Sequence, residues 1–417
     1  IDPEAWKAAA VLADAGRIPS AILPYLPPDG VGLTPTLQNY WVVIHPPTIF
    51  AGFGSLTVMF AWSVAAMLSG NVRDWIPMLR PWALVSLAAL GLGLCMGGFW
   101  AYETLGWGGF WAWDPVENVS FVPWVFTAIL IHGMIVQVNR KKWAATNLFM
   151  AGVPFLIFVY GTFMTRSGFL NDQSVHSFAE MNRVALWLLI GFLVLSTAGF
   201  VGLWAFRGLK LGQAASLDQD PGKGVHREGV YRSASLLLAA LGVATAVGMS
   251  VPLIQSIIGQ SPKRVEEQAY HFILSWLFVG IIVLMAVGPF VSWRAMRVRE
   301  LLGRLLNVFS ISALIVGIGM ILAKRSSWAE FVNPTDTIAF PFGVKAPLVP
   351  WIVFLAWLCT FAAVANTWRL VEIWKRGRSS AGAFIAHLGV AGVTAGLIIS
   401  SGFEKKSEIA FVDKNQS

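Results

Sequence analysis

Ten apolar runs of membrane-spanning length constrain the fold of this chain more than any other feature. They lie at about 46–69, 81–100, 121–138, 144–163, 184–206, 233–257, 271–292, 305–323, 348–370 and 381–402. A helix needs about 20 apolar residues to cross a bilayer, where it pairs its backbone N–H and C=O groups internally. Hydrophobic residues make up 56% of the chain and charged residues only 12%. We therefore predict an all-α fold, a polytopic transmembrane helical bundle of about ten spanning helices.

The basic residues between these runs predict how the bundle is oriented. Of the 30 Lys and Arg residues, 18 lie in one set of alternate connections and 12 in the other set, which includes both terminal segments. Cytoplasmic loops carry the excess of Lys and Arg, so the first set is assigned to the cytoplasm. This distribution accounts for the net charge of +8 without a nucleic-acid partner. We expect an external segment over 1–45, the bundle over 46–402 and the start of an external segment over 403–417, with both ends of the chain incomplete.

The external loop between the second and third runs is unusually rich in tryptophan. Over 100–124, WAYETLGWGGFWAWDPVENVSFVPW, it contains Trp100, Trp107, Trp111, Trp113 and Trp124. An interfacial aromatic belt explains one or two tryptophans at a helix end. Five of them interleaved with glycines offer flat faces to a planar ligand such as a porphyrin, which we favour over the belt. Asp114 and Glu117 are expected to orient the indole N–H groups and to cap the next helix.

Four of the six histidines lie outside the apolar runs or at their ends. His45 and His176 flank the tryptophan-rich loop on the external side, which suits ligation of a haem iron on both faces. A lone external histidine is more often simply solvated, and that alternative stays open for each of them. His226, in a polar cytoplasmic loop, and His271, at the outer end of a run, are interpreted as structural.

The other two histidines are predicted to lie inside the membrane. His132 and His387 each stand about 10 Å from the cytoplasmic end of their runs, on helices of opposite direction. Ionisable residues at such depth suggest function, and two imidazoles at equal depth can hold the iron of a b-type haem. The small neighbours Gly133, Ala386 and Gly389 would let a macrocycle approach both helices. The alternative is two histidines that are hydrogen-bonded to neighbouring helices.

Four motifs in this sequence resemble one known family. They are WGGFWAWDPVEN, which resembles the tryptophan-rich WWD signature, IHPP before it, RSG followed by SVHSF after it, and AHLGVAG near the end. Together they resemble the CcmF family of cytochrome c haem lyases, over about 30–400. The resemblance implies that His45 and His176 ligate a transient external haem and that His132 and His387 ligate a membrane haem b. The chain lacks the additional helices and the folded periplasmic segment that family members usually have.

The resemblance also implies a function and a set of partners. The chain would be the haem lyase subunit of cytochrome c maturation in the bacterial inner membrane, with the WWD loop on the periplasmic side. Haem would come from a periplasmic haem chaperone, and the acceptor would be the CxxCH motif of apocytochrome c, presented by a thiol-reducing subunit. Quinol would reduce the membrane haem b. A haem transporter or synthetase of the CcsA type and a quinol-oxidising electron carrier are the alternatives.

Individual residues receive roles in this scheme. The residues expected to act directly in haem attachment are Trp107, Trp111, Trp113, Asp114 and Glu117. Those expected to bind haem, besides the four histidines, are Trp100, Trp124 and Arg166. Arg166 is one of few external cations and is expected to pair with a haem propionate, although a charge at a helix end is an equally good interpretation.

Overall fold

The computed structural model of this protein describes residues 38–72, 74–104, 109–168, 170, 181–217, 222–325, 337–339, 345–374 and 381–402. The chain divides into two units, Ile1–Ile44 and His45–Ser417. Only 38–44 of the first unit are described. All of the packing discussed below lies within the second unit.

α-Helices make up most of the described residues, and all but one of them are at least 21 residues long. They are α1 Trp41–Ser69, α2 Trp75–Thr104, α3 Pro115–Arg140, α4 Ala144–Arg166, α5 Arg183–Leu203, α6 Leu209–Ala215, α7 Arg227–Ile257, α8 Glu267–Val287, α9 Val298–Arg325, α10 Leu348–Trp374 and α11 Gly382–Gly402. A π-helical segment, Trp204–Gly208, makes α5 and α6 continuous, and a short 3-10 turn, Gly288–Phe290, follows α8. Two short strands, β1 Thr337–Ala339 and β2 Lys345–Pro347, pair antiparallel.

Helix α3 lies at the centre of the bundle. In its most apolar window 67% of the residues are buried, against 6% for the helix Arg183–Ala215, so α3 is surrounded by protein while α5 is largely exposed at the surface of the bundle. It packs against α2, α4 and α7. A buried polar contact supports the α3–α4 pair, because Asn147 Nδ2 donates to Gln137 Oε1 over 2.7 Å and satisfies two groups that lipid could not.

The core consists of three apolar clusters. The first joins α1 to α5 around Leu56, Leu90 and Leu148. The second joins α8 to α11 around Met285 and Ala362. The third joins the beginning of α3 to α7 and α8 and includes residues of the tryptophan-rich loop. That loop is therefore anchored on the helix bundle.

The predicted bundle of about ten helices is confirmed. A long helix forms over each of the ten predicted runs. Within the described residues, nine helices are long and apolar enough to span a membrane, and the apolar stretch Gly382–Ile398 of α11 is shorter than the other nine. The protein is thus a multi-pass membrane protein.

Several helices extend beyond the apolar runs that predict them. Helix α2 continues to Thr104 and α3 already begins at Pro115, so Trp100 and Trp124 lie on helices and the connection between α2 and α3 is shorter than 100–124. The reason is that polar residues such as Glu117 and Asn118 fill the first turn of α3, where a hydropathy count does not extend. The strands β1 and β2 lie in a segment that was predicted only as an external connection.

Candidate functional site

The two intramembrane histidines meet, although they are far apart in the sequence. The imidazole rings of His132 on α3 and His387 on α11 have centroids 6.1 Å apart and planes within 9° of parallel. The Nδ1 atom of His132 lies 2.7 Å from the carbonyl oxygen of Ala128. A carbonyl can only accept, so Nδ1 carries the proton, and Nε2 is the nitrogen that can ligate a metal.

The distance between the two rings fits an iron between them. Two imidazoles bonded to one iron at about 2 Å each would have their centroids roughly 6 Å apart. Both side chains are half-buried. On α11, Gly389 leaves open space, because no atom lies within 4 Å of where a Cβ would stand. The ring spacing and the donor chemistry of these residues therefore fit a bis-histidine haem.

The predicted role of Gly133 in this site is wrong. A Cβ on Gly133 would lie 2.0 Å from Asn147 Oδ1, so this side of the residue faces α4 and is filled by the asparagine. Gly133 thus allows α3 and α4 to pack closely, and space for a macrocycle lies on the α11 side, where Ala386 and Gly389 are exposed.

A group of aromatic and charged residues follows the histidine pair toward the end of α3. Tyr231 lies 5.5 Å from the His132 ring and 5.8 Å from Trp293, measured between ring centroids. The guanidinium groups of Arg140 and Arg227 lie over the Trp293 ring at 5.9 and 5.8 Å, and Arg140 also donates to the Trp293 carbonyl. No local sequence pattern predicts this group, because its members come from three separate parts of the chain.

His45 is held in the same way as His132. Its Nδ1 lies 2.9 Å from the Gly93 carbonyl oxygen, so Nδ1 donates and Nε2 is the possible ligand atom. Its ring meets that of Trp100 edge-on, with centroids 5.8 Å apart. The indole N–H of Trp100 is buried and has no hydrogen-bond partner among the described residues. Such a donor is one that a bound ligand can satisfy.

The part of the tryptophan-rich loop that follows residue 108 contains an aromatic cluster. Trp111 and Trp113 meet at 86° with centroids 6.2 Å apart, and Phe121 lies against both. Trp113 is only 8% exposed, because one face of its indole stacks on Tyr270 of α8 at 5.1 Å and 8°. Tyr270 lies in none of the sequence motifs that predict a haem site. Trp124 Nε1 donates to the Leu87 carbonyl over 3.2 Å and so ties α3 to α2.

Asp114 and Glu117 cap α3, as predicted, but they do not orient the indole N–H of Trp124, which donates to Leu87, or that of Trp100. Asp114 Oδ1 accepts from the N–H of Val116 over 2.8 Å. Glu117 Oε2 accepts from the N–H groups of Asp114 and Ala112, each over 3.1 Å. This reciprocal capping box connects the last residues of the loop to the first turn of α3 and fixes the direction in which the loop leaves the helix.

The remaining predicted residues have simpler positions. Arg166 is exposed and ends α4, where a cation is favourable; its pairing with a propionate stays a prediction. His226 caps α7, because its Nδ1 accepts from the N–H of Gly229 over 3.0 Å, and His271 Nε2 lies 3.5 Å from Glu267 one turn earlier. These two histidines have structural contacts, as expected. Trp107 and His176 lie outside the described residues.

Comparison with known proteins identifies relatives along most of the chain. A family described as "Cytochrome C assembly protein" matches residues 6–171. The "Cytochrome c-type biogenesis protein CcmF" of Escherichia coli is 31% identical over 391 residues, which are 94% of this chain and 57% of the relative. These similarities support a CcmF-type protein. The resemblance to the CcmF family that the WWD loop and its neighbouring motifs indicate is thereby confirmed.

Two further relatives have similar identity and coverage. CcmF of Pseudomonas aeruginosa is 31% identical, covering 94% of this chain and 56% of the relative. The "Cytochrome c-type biogenesis protein CycK" of Rhizobium meliloti is 30% identical with the same coverage, 94% and 56%. The chain therefore spans somewhat more than half the length of the curated CcmF-type proteins it matches. No solved structure matches the chain.

Proposed function

We propose that this chain is a haem lyase subunit of cytochrome c maturation, which promotes covalent attachment of haem to the CxxCH motif of apocytochrome c. The observation that carries the proposal is the His132–His387 pair, with ring centroids 6.1 Å apart between two apolar helices of the bundle. Bound there, a haem b supplies one-electron redox chemistry. The hydrogen bond of His132 to Ala128 keeps Nε2 directed for ligation.

The external side supports the second half of the proposal. His45 and Trp100 together provide an anchored imidazole and an unsatisfied indole N–H, and Trp111 and Trp113 provide aromatic faces that suit a porphyrin. Thioether formation adds the S–H of a cysteine across a haem vinyl group. The contribution of the protein is then to hold the porphyrin so that the vinyl groups meet the cysteines.

A cavity on α11, at the level of His387, favours an additional activity, oxidation of quinol. It has a volume of about 900 Å³ and lies between α9, α10 and α11, with Cys359, Ala363, Leu388 and Gly392 among its lining residues. This volume is in the range of sites for small molecules. The lining residues Leu388 and Ala391 lie within about one turn of His387 along α11, so the cavity is at the level of the proposed haem b.

One end of this cavity carries polar groups. The carboxylate of Glu372 accepts from the indole N–H of Trp368 over 3.0 Å and also pairs with Arg369. Both Trp368 and Glu372 line the cavity. Oxidation of a quinol to the quinone releases two electrons, which haem b would take in two successive one-electron steps and pass on to the external haem, and two protons, which would leave to solvent at the exposed polar end of the cavity.

The partners follow from this function. We propose that haem is delivered by a periplasmic haem chaperone, that a thiol-reducing subunit presents apocytochrome c, and that quinol is the electron donor. The 18 Lys and Arg residues in one set of connections support a location in the bacterial inner membrane with the tryptophan-rich loop in the periplasm.

The decisive experiment removes the membrane histidines one at a time. His132→Ala and His387→Ala should each lose most of the b-type haem while membrane yield stays normal, because each removes one of two iron bonds. Haem is measured from the reduced-minus-oxidised difference spectrum and yield from an immunoblot.

His271→Ala is the matched control, since its imidazole contacts Glu267 on α8 and lies far from the pair in the sequence. It should keep its haem. Wild-type spectra in both His132→Ala and His387→Ala would rule out the bis-histidine site and with it the proposed redox role.

A further inference from the structure

We propose that Tyr270 is a positioning residue that holds Trp113 in one orientation, acting both by direct stacking and through Asn118. The functional consequence rests on the proposed external haem site, since Trp113 belongs to the aromatic cluster of that site. Tyr270 itself would not touch haem. It lies in the first turn of α8, outside every motif that identifies the tryptophan-rich loop.

The backbone conformation of Trp113 requires stabilising contacts from its surroundings. Its φ angle is 54°, in the left-handed region that a bulky side chain rarely adopts. Such a conformation persists only where surrounding contacts determine it, and it often marks a functional site. Around Trp113, the stacked ring of Tyr270 is one of these contacts, with centroids 5.1 Å apart.

Asn118 supplies the second contact. Its Nδ2 donates to the Trp113 carbonyl oxygen over 3.1 Å and to Tyr270 Oη over 3.3 Å. The Trp113 carbonyl accepts only, so the amide of Asn118 must turn its NH₂ group in this direction. Asn118 is fully buried and Tyr270 is only 4% exposed. One amide group therefore connects the backbone of Trp113 to the hydroxyl of the tyrosine that stacks on its side chain.

The space for Tyr270 is provided by Gly248 of α7. A Cβ at Gly248 would stand 2.4 Å from Tyr270 Oη, so only glycine leaves room for the phenol there. The ring is thus held by three elements: α7 behind its hydroxyl, Asn118 of α3 beside it, and Trp113 across its face. A tyrosine confined in this way has few accessible rotamers. It therefore restricts the rotation of the Trp113 indole on which it stacks.

The consequence concerns the other aromatic side chains of the cluster. Trp111 and Phe121 both pack at steep angles against Trp113, and Phe121 continues the cluster to Trp124. If Trp113 is fixed, the orientation that this cluster offers to a planar macrocycle is fixed as well. Loss of Tyr270 should therefore loosen the loop first and weaken haem binding as a result.

The first test measures the loop without using haem. A single cysteine is introduced by Ala112→Cys in a chain that carries Cys95→Ala and Cys359→Ala, and its labelling by an impermeant maleimide is timed. Tyr270→Leu and Asn118→Ala should raise the labelling rate several-fold to roughly tenfold, the factor that corresponds to one aromatic pair or one buried hydrogen bond. Tyr270→Phe keeps the stacked ring and should restore most of the protection.

Tyr160→Leu is the matched control. Tyr160 belongs to the same apolar cluster, but its hydroxyl pairs with Ser250 over 2.7 Å and its ring lies against Phe163. If faster labelling only reflected general destabilisation of this cluster, Tyr160→Leu and Tyr270→Leu should raise the labelling rate equally. Equal labelling rates in wild type and Tyr270→Leu, or an equal rise in both leucine variants, would overturn the proposal.

The second test adds haemin to the purified full chain and follows the change in absorbance. Tyr270→Leu should raise the dissociation constant of the added haemin roughly tenfold, with the membrane haem b content unchanged. Unaltered haemin affinity despite faster labelling would contradict the link between Tyr270 and haem. If wild type itself binds no added haemin, the proposed external site fails, while the labelling experiment still decides whether Tyr270 holds Trp113.

Discussion

Replacing Gly248 by alanine should disturb the external site and leave the membrane histidines intact. The added Cβ would lie 2.4 Å from Tyr270 Oη and 2.7 Å from two carbons of the ring, whereas ordinary contact begins near 3.4 Å. The phenol must therefore retreat by about 1 Å, the difference between 3.4 and 2.4 Å. The hydrogen bond from Asn118 is already 3.3 Å long, so retreat in most directions breaks it.

The size of the effect follows from these contacts. Overpacking a buried site costs about 1–3 kcal/mol, and the lost hydrogen bond adds about 1 kcal/mol. Alanine has a higher helix propensity than glycine, which offsets about 1 kcal/mol of this destabilisation. We expect a net destabilisation of about 1–3 kcal/mol, measured as a lower Tm of the purified protein, together with weaker haemin binding and an unchanged b-type spectrum.

The control for this substitution is Gly199→Ala on α5, where no atom lies within 4 Å of the added Cβ. It should leave Tm the same or slightly higher. If Gly248→Ala matched Gly199→Ala in both Tm and haemin affinity, Tyr270 would not be confined by α7 in the way the contacts suggest, and its proposed role would lose its basis.

Three further outcomes are expected. Gly392→Leu should fill the cavity between α9, α10 and α11 and slow reduction of haem b by decylubiquinol roughly tenfold, while dithionite still reduces it fully; equal quinol rates would remove the cavity from the mechanism. His45→Ala and His176→Ala should abolish cytochrome c maturation in a peroxidase stain, spare the membrane haem and recover partly with imidazole; normal maturation in both would exclude these histidines. An impermeant thiol reagent on intact spheroplasts should label a cysteine at position 108 but not one at position 141, and the reverse pattern would invert the orientation.

The sequence alone predicts the bundle well, because lipid imposes one requirement on every spanning segment. Each of the ten apolar runs forms a helix, and only the ends differ. The end of α2 and the beginning of α3 were missed because capping by Asp114 and Glu117, rather than hydropathy, determines where α3 starts. The capping itself could be predicted from the spacing of these two residues.

The histidine pair was predictable for a similar reason. Depth in a membrane follows from the count of residues along a helix, so His132 and His387 could be placed at one level before their rings were known to lie 6.1 Å apart. Rotation about the helix axis could not be predicted, which is why Gly133 was assigned to the wrong side. Tyr270 was missed because it meets Asn118 across 152 residues, and no local pattern reports such a contact.

Helix α3 also sets the distance between the two proposed haem sites. Its first turn carries the capping box next to Trp113, and His132 follows 17 residues after Pro115, a rise of about 26 Å along the axis. Inserting one residue between them would turn His132 by about 100° away from His387, whereas inserting four would nearly restore its direction but lower it by about 6 Å. The length of this segment and its helical phase therefore both matter, because they place His132 against His387 at one end and Trp113 in the aromatic cluster at the other.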